Sequence, residues 1–248
     1  MRHFFAKMYH FLVLCLALLG LVALQVGYAQ TSEEEEELNN EFTYGINFHT
    51  NGGFIGGFNF KYAKKLTANR WATWGVELVG VKHPQEQRVT YLYSPFILNK
   101  QNYLYSLRLL YGRDIVLFHK APEEGAKVSL CSAGGLTLGI VKPYYIQYYP
   151  RNTNIPQSVP YNPSIHSQGQ IGGAGGVFEG ISESKIVPGI YLKTGLAFEF
   201  GTFRNTISGF EAGLNFEAFS QKIIILPTNP NYNVFTAAYL MFFFGTRR

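Results

Sequence analysis

The chain has 248 residues, of which 47% are hydrophobic, 16% are aromatic and only 15% are charged. Soluble domains usually carry about 25% Asp, Glu, Lys and Arg. The aromatic content excludes a disordered chain, and the net charge of +5 comes from scattered Lys and Arg, which argues against a nucleic-acid binder. The length fits one all-β domain.

The first 29 residues are typical of a secretory signal peptide. A basic start is followed by an almost unbroken apolar run over residues 11–24, and small residues lead up to Ala29. We therefore predict that residues 1–29 are removed before Gln30. A retained transmembrane anchor is the alternative, but no basic stop-transfer cluster follows the apolar run.

Residues 30–40 are predicted to form an acidic, disordered N-terminal tail. Glu33–Glu37 are five adjacent like charges, which repel one another and resist packing. After cleavage only Cys131 remains, so an intramolecular disulfide is impossible.

The rest of the chain, residues 41–248, repeatedly alternates between apolar and polar residues, which is the signal of a β-strand. No other segment has 18 consecutive apolar residues, so a helical membrane protein is excluded. Eight strands are long enough for the smallest bacterial outer-membrane barrel. They are predicted at residues 41–49, 53–62, 70–82, 102–112, 127–141, 190–201, 207–219 and 234–245.

The two strand faces favour a membrane barrel over a soluble one. The apolar face carries Phe, Tyr, Trp and Leu with almost no charge, as lipid contact requires. The other face carries Gly, Thr, Asn and Ser with charges of both signs, which could pair across a narrow lumen. The predicted lumen charges are Lys61, Glu77, Arg108, Lys193, Glu199, Glu211 and Glu217. A secreted lipocalin-like binder, with the apolar face inward, is an alternative.

The connections alternate in length, which predicts both termini in the periplasm and the longer loops outside. Residues 142–189 form the longest external loop, whereas Asn51-Gly52 suits a two-residue hairpin. Residues 114–118 and 222–226 are predicted to extend strands beyond the bilayer. The long loop is rich in Pro and carries the tyrosines predicted to contact a partner: Tyr144, Tyr145, Tyr148, Tyr149 and Tyr161.

A family resemblance adds to this interpretation. The chain resembles the small outer-membrane β-barrel proteins of Bacteroidota, the PorT-like group, in four features. These are the signal peptide ending at Ala29, the acidic start, the segment SAGGLTLG at residues 132–139 and the aromatic end Phe242-Phe243-Phe244. The resemblance implies an all-β, eight-stranded, antiparallel, up-and-down transmembrane barrel in the outer membrane. Members of the group include secretion-system components, so the resemblance also implies outer-membrane lipid and other envelope proteins as partners, for example in a secretion or envelope-assembly machine. A structural or scaffold role is predicted separately, because eight strands leave an interior filled by side chains rather than a channel.

No catalytic, cofactor or metal residues are predicted, and we expect the protein not to be an enzyme. A lipid-modifying barrel enzyme is the alternative, since such enzymes use a His with a Ser and an acid at the membrane edge. His49 ends the first predicted strand and His166-Ser167 lies in the long loop, so these histidines are its candidates. A triad also requires the three groups to meet in space.

Overall fold

The computed structural model describes residues 39–52, 56–119, 126–151, 155–200 and 205–248. The predicted signal peptide and nearly all of the predicted acidic tail lie outside the described residues. In chain order the strands are β1 (Asn40–His49), β2 (Gly57–Thr67), β3 (Arg70–Val81), β4 (Arg88–Val89), β5 (Phe96–Ile97), β6 (Asn102–Phe118), β7 (Lys127–Pro143), β8 (Tyr145–Tyr148), β9 (Gln157–Pro160), β10 (Ile171–Ala174), β11 (Lys185–Phe200), β12 (Thr206–Phe219) and β13 (Val234–Arg247).

Eight of these strands close into one antiparallel barrel, in the order β1-β13-β12-β11-β7-β6-β3-β2. Each barrel strand pairs with its neighbour along the chain, and the first pairs with the last. The predicted all-β fold with eight antiparallel, up-and-down strands is therefore confirmed. The remaining short strands form a three-stranded sheet, β10-β8-β9, and a two-stranded hairpin, β4-β5.

The strand pairing also fixes how steeply the strands lean. A row of paired residues that starts at Phe42 and passes through every strand arrives at Thr236 of β13. Phe42 itself pairs with Thr246, ten residues further along β13. A stagger of this size tilts the strands by about 40° and leaves an interior just wide enough for side chains to fill.

The barrel has a turn end and a loop end. At the turn end, Asn40 and Arg248 exchange backbone hydrogen bonds of 2.8 Å, and β2 is followed by β3, β6 by β7 and β11 by β12. At the loop end, four loops connect β1 to β2, β3 to β6, β7 to β11 and β12 to β13. β4 and β5 belong to the second of these loops, and β8, β9 and β10 belong to the third.

Alternation along each strand sorts side chains to the two faces as predicted. In β1, Phe42, Tyr44 and Ile46 are exposed on the outside, whereas Thr43 and Asn47 are buried in the lumen. The same division holds in β12, where Leu214 points outward and Asn215 points inward. The apolar face is therefore on the outside of the barrel.

Two local predictions are wrong. The first connection is not a two-residue hairpin, because β1 ends at His49 and β2 begins only at Gly57. Residues 222–226 do not extend a strand, because Ile223, Ile225 and Leu226 turn into the loop end of the lumen and are buried there. Residues 114–118 do extend a strand, since β6 continues to Phe118.

Candidate functional site: a filled lumen beneath a closed cap

An ion-pair network fills the middle of the lumen, and Arg108 on β6 is at its centre. The Arg108 guanidinium lies 2.8 Å from Glu217 on β12 and 3.4 Å from Glu77 on β3. Lys193 on β11 lies 2.8 Å from Glu77 and 3.3 Å from Glu211. Arg108, Glu77 and Glu217 are each only 1% exposed, so the charges are separated from water and depend on each other for compensation.

Neutral groups donate further hydrogen bonds to these carboxylates. Thr137 donates its hydroxyl proton to Glu217 over 2.6 Å, and Asn59 donates to Glu77 over 3.0 Å. The Tyr239 hydroxyl donates to Glu211 over 2.7 Å. Buried charges are tolerated when pairing and hydrogen bonds both satisfy them. The network meets both conditions except at Glu211 Oε2, which has no hydrogen-bond partner and lies 3.9 Å from the Lys61 ammonium group.

Lys61 connects this network to the turn end. Its ammonium group lies 3.0 Å from Asp114 and 3.9 Å from Glu211. Asp114 is not among the predicted lumen charges. It lies six residues beyond Arg108 on the same face of β6, so continuing the two-residue period past residue 112 would have identified it.

Glu199 belongs to a second cluster, at the turn-end mouth of the lumen. It lies 3.2 Å from Lys127 and 3.0 Å from Arg247, and Glu41 lies 2.7 Å from Arg247. Buried apolar side chains, among them Met241 and Phe243, lie on the lumen side between the two clusters. The seven predicted lumen charges are thus brought together as six in the central network and one, Glu199, in this cluster.

The lumen leaves little free space. Its cavities near Lys61 have volumes of about 30 and 20 Å³, and a cavity needs about 10–15 Å³ to hold one water. There is room for isolated waters but not for a lipid or another organic ligand.

A plug closes the loop end of the lumen. Ile223, Ile225 and Leu226 pack with inward-facing residues of the barrel in one buried cluster that includes Leu104 and Phe219. The backbone carbonyl of Ile225 accepts a hydrogen bond from Gln101 N over 2.9 Å. The segment that was predicted to extend a strand therefore seals the barrel instead.

Above the plug, the sheet β10-β8-β9 and the hairpin β4-β5 form a small domain-like layer, which we call the cap. Its core contains Phe96, Tyr144, Ile146, Tyr161 and Ile171, all at most 2% exposed. The backbone N–H groups of residues 93 and 94 donate to the carbonyl of Gly172 over 3.3 and 2.8 Å. These contacts fasten the second external loop to the third.

The cap corrects the prediction for two of the five loop tyrosines. Tyr144 and Tyr161 cannot contact a partner because they are buried in the cap core, and the Tyr144 hydroxyl accepts a hydrogen bond from Ile97 N over 2.9 Å. Burial raises the pKa of Tyr144 above its ordinary value. Tyr145, Tyr148 and Tyr149 are half-buried and keep part of their surface for contact.

The cap also holds an ion pair that the sequence did not reveal. The side chain of Lys100 is fully buried, and its ammonium group lies 2.7 Å from Glu86 and 4.2 Å from the centre of the Tyr103 ring. Burial lowers the pKa of Lys100 despite the neighbouring carboxylate. No sequence period links Glu86 and Lys100, because both lie in irregular loop segments.

The two candidate histidines lie in different environments. His49 Nδ1 lies 3.1 Å from Asn215 inside the lumen. His166 Nδ1 accepts a hydrogen bond from Asn162 N over 3.2 Å in the cap. Within the described ranges, neither ring is hydrogen-bonded to a serine hydroxyl or to a carboxylate.

In the described segments, no group of three or more His, Cys, Asp or Glu residues is arranged to hold a metal ion. No helix among the described residues is long and apolar enough to cross a membrane.

Comparisons with known proteins give little beyond the fold. No protein-family model matches the chain, and no curated protein is significantly similar to it. Among solved structures it is similar to the crystal structure of Ail, the attachment invasion locus protein of Yersinia pestis, in complex with the heparin analogue sucrose octasulfate. The identity is 12% and the TM-score is 0.41, over 85% of this chain and 98% of that chain. At this level the likeness assigns neither a family nor a ligand, and the closed barrel follows from the strand pairing of this chain.

Proposed function

We propose that the protein is an integral outer-membrane barrel that acts as a non-catalytic structural or scaffold element. The observation that carries the proposal is the apolar outer face of the barrel. Phe58, Leu136 and Leu214 are 54%, 64% and 65% exposed there, and they belong to a surface that continues around all eight strands. Monomeric soluble proteins rarely expose contiguous apolar patches larger than a few hundred Å², whereas lipid contact requires such a surface.

The few outward-facing charges support the same proposal. On the described barrel strands they are Lys64, Arg70 and Arg113 towards the turn end and Lys142 at the loop end. A charge is costly at the bilayer midplane and much less so near the interfaces. The outer face thus has an uncharged central band between two ends that tolerate charge.

Aromatic residues at the turn end also favour membrane insertion. The ring of Trp74 lies 5.8 Å from that of Tyr62 and 5.6 Å from that of Tyr111. All three face outward on adjacent strands. Amphipathic rings of this kind are enriched at the two membrane–water interfaces, so we place the turn end at one of them.

The filled interior of the barrel favours a scaffold role over a ligand-binding or channel role. A lipocalin-like binder needs an apolar cavity, but this lumen contains paired charges, and its cavities near Lys61 are large enough only for water. A channel needs an open path, but the plug and the cap lie across the loop end. The surfaces left for function are the outside of the barrel and the outside of the cap.

We further propose that the turn end faces the periplasm and that the cap binds another envelope protein, as in a secretion or envelope-assembly machine of the PorT-like kind. Short turns at one end and long loops at the other are the usual pattern for periplasmic and external ends. The cap offers a built surface for contact, on which Tyr93 is 73% exposed and its ring lies 5.5 Å from that of Tyr149.

Fractionation tests the membrane proposal. We expect the protein in the outer-membrane fraction, resistant to extraction by high salt, with a mobility on SDS gels that changes on heating. Release of the protein by a high-salt wash would contradict the proposal.

Affinity purification in mild detergent tests the partner proposal. We expect a second envelope protein to be recovered with the unaltered chain and to be lost with Tyr93→Ala and Tyr149→Ala together. Tyr232→Ala is the matched control, because this tyrosine lies in another external loop and is 53% exposed. Recovery of the barrel alone would count against a stable complex.

The absence of enzymatic activity is also a proposal. It is supported by His49 and His166, neither of which has a triad partner among the described residues. We expect the lipid A mass profile of cells to be the same with His49→Ala, with His166→Ala and with the unaltered chain. A shift in either variant would favour the lipid-modifying alternative.

A further inference from the structure

The turn that precedes β11, residues 176–184, exposes large apolar side chains. We call it the apolar turn. Phe178 is 82% exposed, Val177 is 75% exposed and Ile181 is 54% exposed. Isolated exposed apolar residues are ordinary, but three within five residues form a local apolar surface that the protein itself leaves largely uncovered.

The apolar turn is held firmly in place. Lys142, which is only 4% exposed, donates from its ammonium group to the carbonyls of Val177 over 2.6 Å and Glu179 over 2.9 Å. Gly180 has a φ of 76°, and a Cβ at this position would come within 2.7 Å of the Tyr145 ring. A buried lysine and an obligatory glycine therefore fix the backbone while the apolar side chains stay outside.

The turn has two chemically different sides. Glu179 accepts hydrogen bonds from Gly176 N over 2.8 Å and from the Ser158 hydroxyl over 2.5 Å. Glu183 accepts one from the Tyr145 hydroxyl over 2.6 Å. Both carboxylates are thus tied to the cap, and the opposite side of the turn is apolar.

The turn lies on the outer flank of the barrel. Lys142 is at an outward position of β7, because its neighbour Val141 packs inward against the plug. It pairs in register with Tyr103, and its ammonium group lies 5.3 Å from the centre of the Tyr103 ring. On β11, Ile186 is 66% exposed and Ile190 is 53% exposed. The apolar outer face of the barrel therefore continues upward into the apolar turn.

We infer that the apolar turn inserts into the lipid interface at the loop end of the barrel. The inference rests on the proposed membrane location and names lipid as the occupant of this surface, because the surface is continuous with the apolar face that contacts lipid. Amphipathic segments commonly anchor proteins at the membrane interface. Their apolar side is buried at the boundary between the headgroups and the acyl chains, and their polar side faces away from it. It would fix the depth and tilt of the loop end, and with them the position of the cap.

Depth-dependent quenching tests this inference. The full chain carrying Cys15→Ser and Cys131→Ser is reconstituted in phosphatidylcholine vesicles. Single cysteines introduced by Phe178→Cys, Leu136→Cys or Ile165→Cys are labelled with an NBD fluorophore. Leu136 lies on the outer face of the barrel, and Ile165 is a matched control in the cap, with 72% of its surface exposed. Nitroxide lipids quench from the headgroup or from deep in the acyl chains.

We expect headgroup nitroxides to quench position 178 at least twofold more than position 165, and acyl nitroxides to quench position 136 most. Equal quenching at 178 and 165, with position 136 quenched, would overturn the inference and leave the membrane barrel standing. Failure to quench position 136 would overturn the proposed function itself. A blue shift at 178 that depends on protein density, without lipid quenching, would indicate a second copy as the occupant and would also overturn the inference.

Discussion

At the scale of single residues, the lumen depends on matched buried charges. Arg108 contacts Glu217 through two nitrogens, at 3.2 and 2.8 Å, and its guanidinium also lies 4.1 Å from the centre of the Tyr191 ring. A planar guanidinium satisfies several acceptors at once, which lysine cannot do with the same geometry. Removing Arg108 would leave Glu217 without a cationic partner among the described residues.

We expect Arg108→Met to lower the free energy of unfolding by about 3–5 kcal/mol, because it leaves a buried carboxylate uncompensated. The measurement is urea unfolding in lipid vesicles. Arg113→Met, which removes an exposed outward-facing arginine, is the control and should change the free energy by less than about 1 kcal/mol. Adding Glu217→Gln to Arg108→Met should restore part of the loss. Equal effects at positions 108 and 113 would show that the network does not stabilise the barrel.

His166 makes the cap sensitive to pH. Burial lowers the pKa of His166 below 6.5, and its Nδ1 can accept the hydrogen bond from Asn162 only when it is not protonated. A histidine whose folded pKa lies below its unfolded value contributes full stability above the unfolded pKa. That stability is lost as pH falls through the folded pKa.

We therefore expect protease cleavage in residues 142–189 to accelerate as pH falls below 6.5, the ordinary pKa of histidine. The rate is followed on gels with an enzyme that is active across the range. In His166→Gln the acceleration should be weaker, because glutamine does not titrate. The same pH profile in both chains would contradict the role of His166.

At the scale of elements, the strands could be predicted and most of their contacts could not. Seven of the eight barrel strands follow from alternation, because one face meets the narrow lumen and the other does not. The last predicted strand, residues 234–245, is apolar on both faces, so its sequence did not predict which side faces the lumen. The partners of Arg108 could not be inferred from spacing, since Glu77 lies on the adjacent β3 while Glu217 comes from β12, across the lumen. Only closure of the barrel at the observed stagger brings β6 and β12 face to face.

The cap was missed because its strands are too short for a period to be visible. β4 and β5 have two residues each, and β8, β9 and β10 have four. Their apolar residues acquire a core only when the two loops meet. The tyrosine content was noticed, but burial divides the tyrosines into core residues such as Tyr144 and surface residues such as Tyr149.

The core of the cap predicts a local effect of mutation. Phe96 is 1% exposed and packs edge-on against Tyr161, with ring centres 6.1 Å apart. We expect Phe96→Ala to destabilise the cap by about 3–5 kcal/mol and to expose residues 142–189 to protease while the barrel stays folded. Tyr93→Ala, at an exposed position of the same loop, is the control. Unchanged protease resistance in Phe96→Ala would mean that this cluster does not hold the cap closed.

At the scale of the whole molecule, the barrel is a closed and filled cylinder. Two ion clusters, the plug and the cap follow one another from the turn end to the loop end. We therefore expect no steady ion conductance when the protein is inserted in planar lipid bilayers. Gln101→Pro should not open a path, because the plug is held mainly by its buried apolar side chains. A stable conductance in the unaltered protein would contradict the filled lumen.

The low charge content of the sequence is explained at this scale. Apolar and aromatic side chains cover the outside of eight strands, while the described charges collect in the lumen, in the cap and near the two ends of the barrel. The amino-acid composition therefore reflects an outer surface that faces lipid and an inner surface that faces the lumen. The central claim is that lipid covers the outer face and that the lumen side of the same strands is hidden from lipid.

Spin labelling along β12 tests that claim most directly. Single spin labels are placed at Leu214, Asn215 or Phe216 in chains carrying Cys15→Ser and Cys131→Ser. In lipid vesicles, the collision rate of each label is measured with lipid-soluble oxygen and with a water-soluble nickel chelate. The account predicts high oxygen and low nickel accessibility at 214 and 216, and low oxygen accessibility at 215. Nickel accessibility at 214 and 216 as high as in a soluble protein would contradict it.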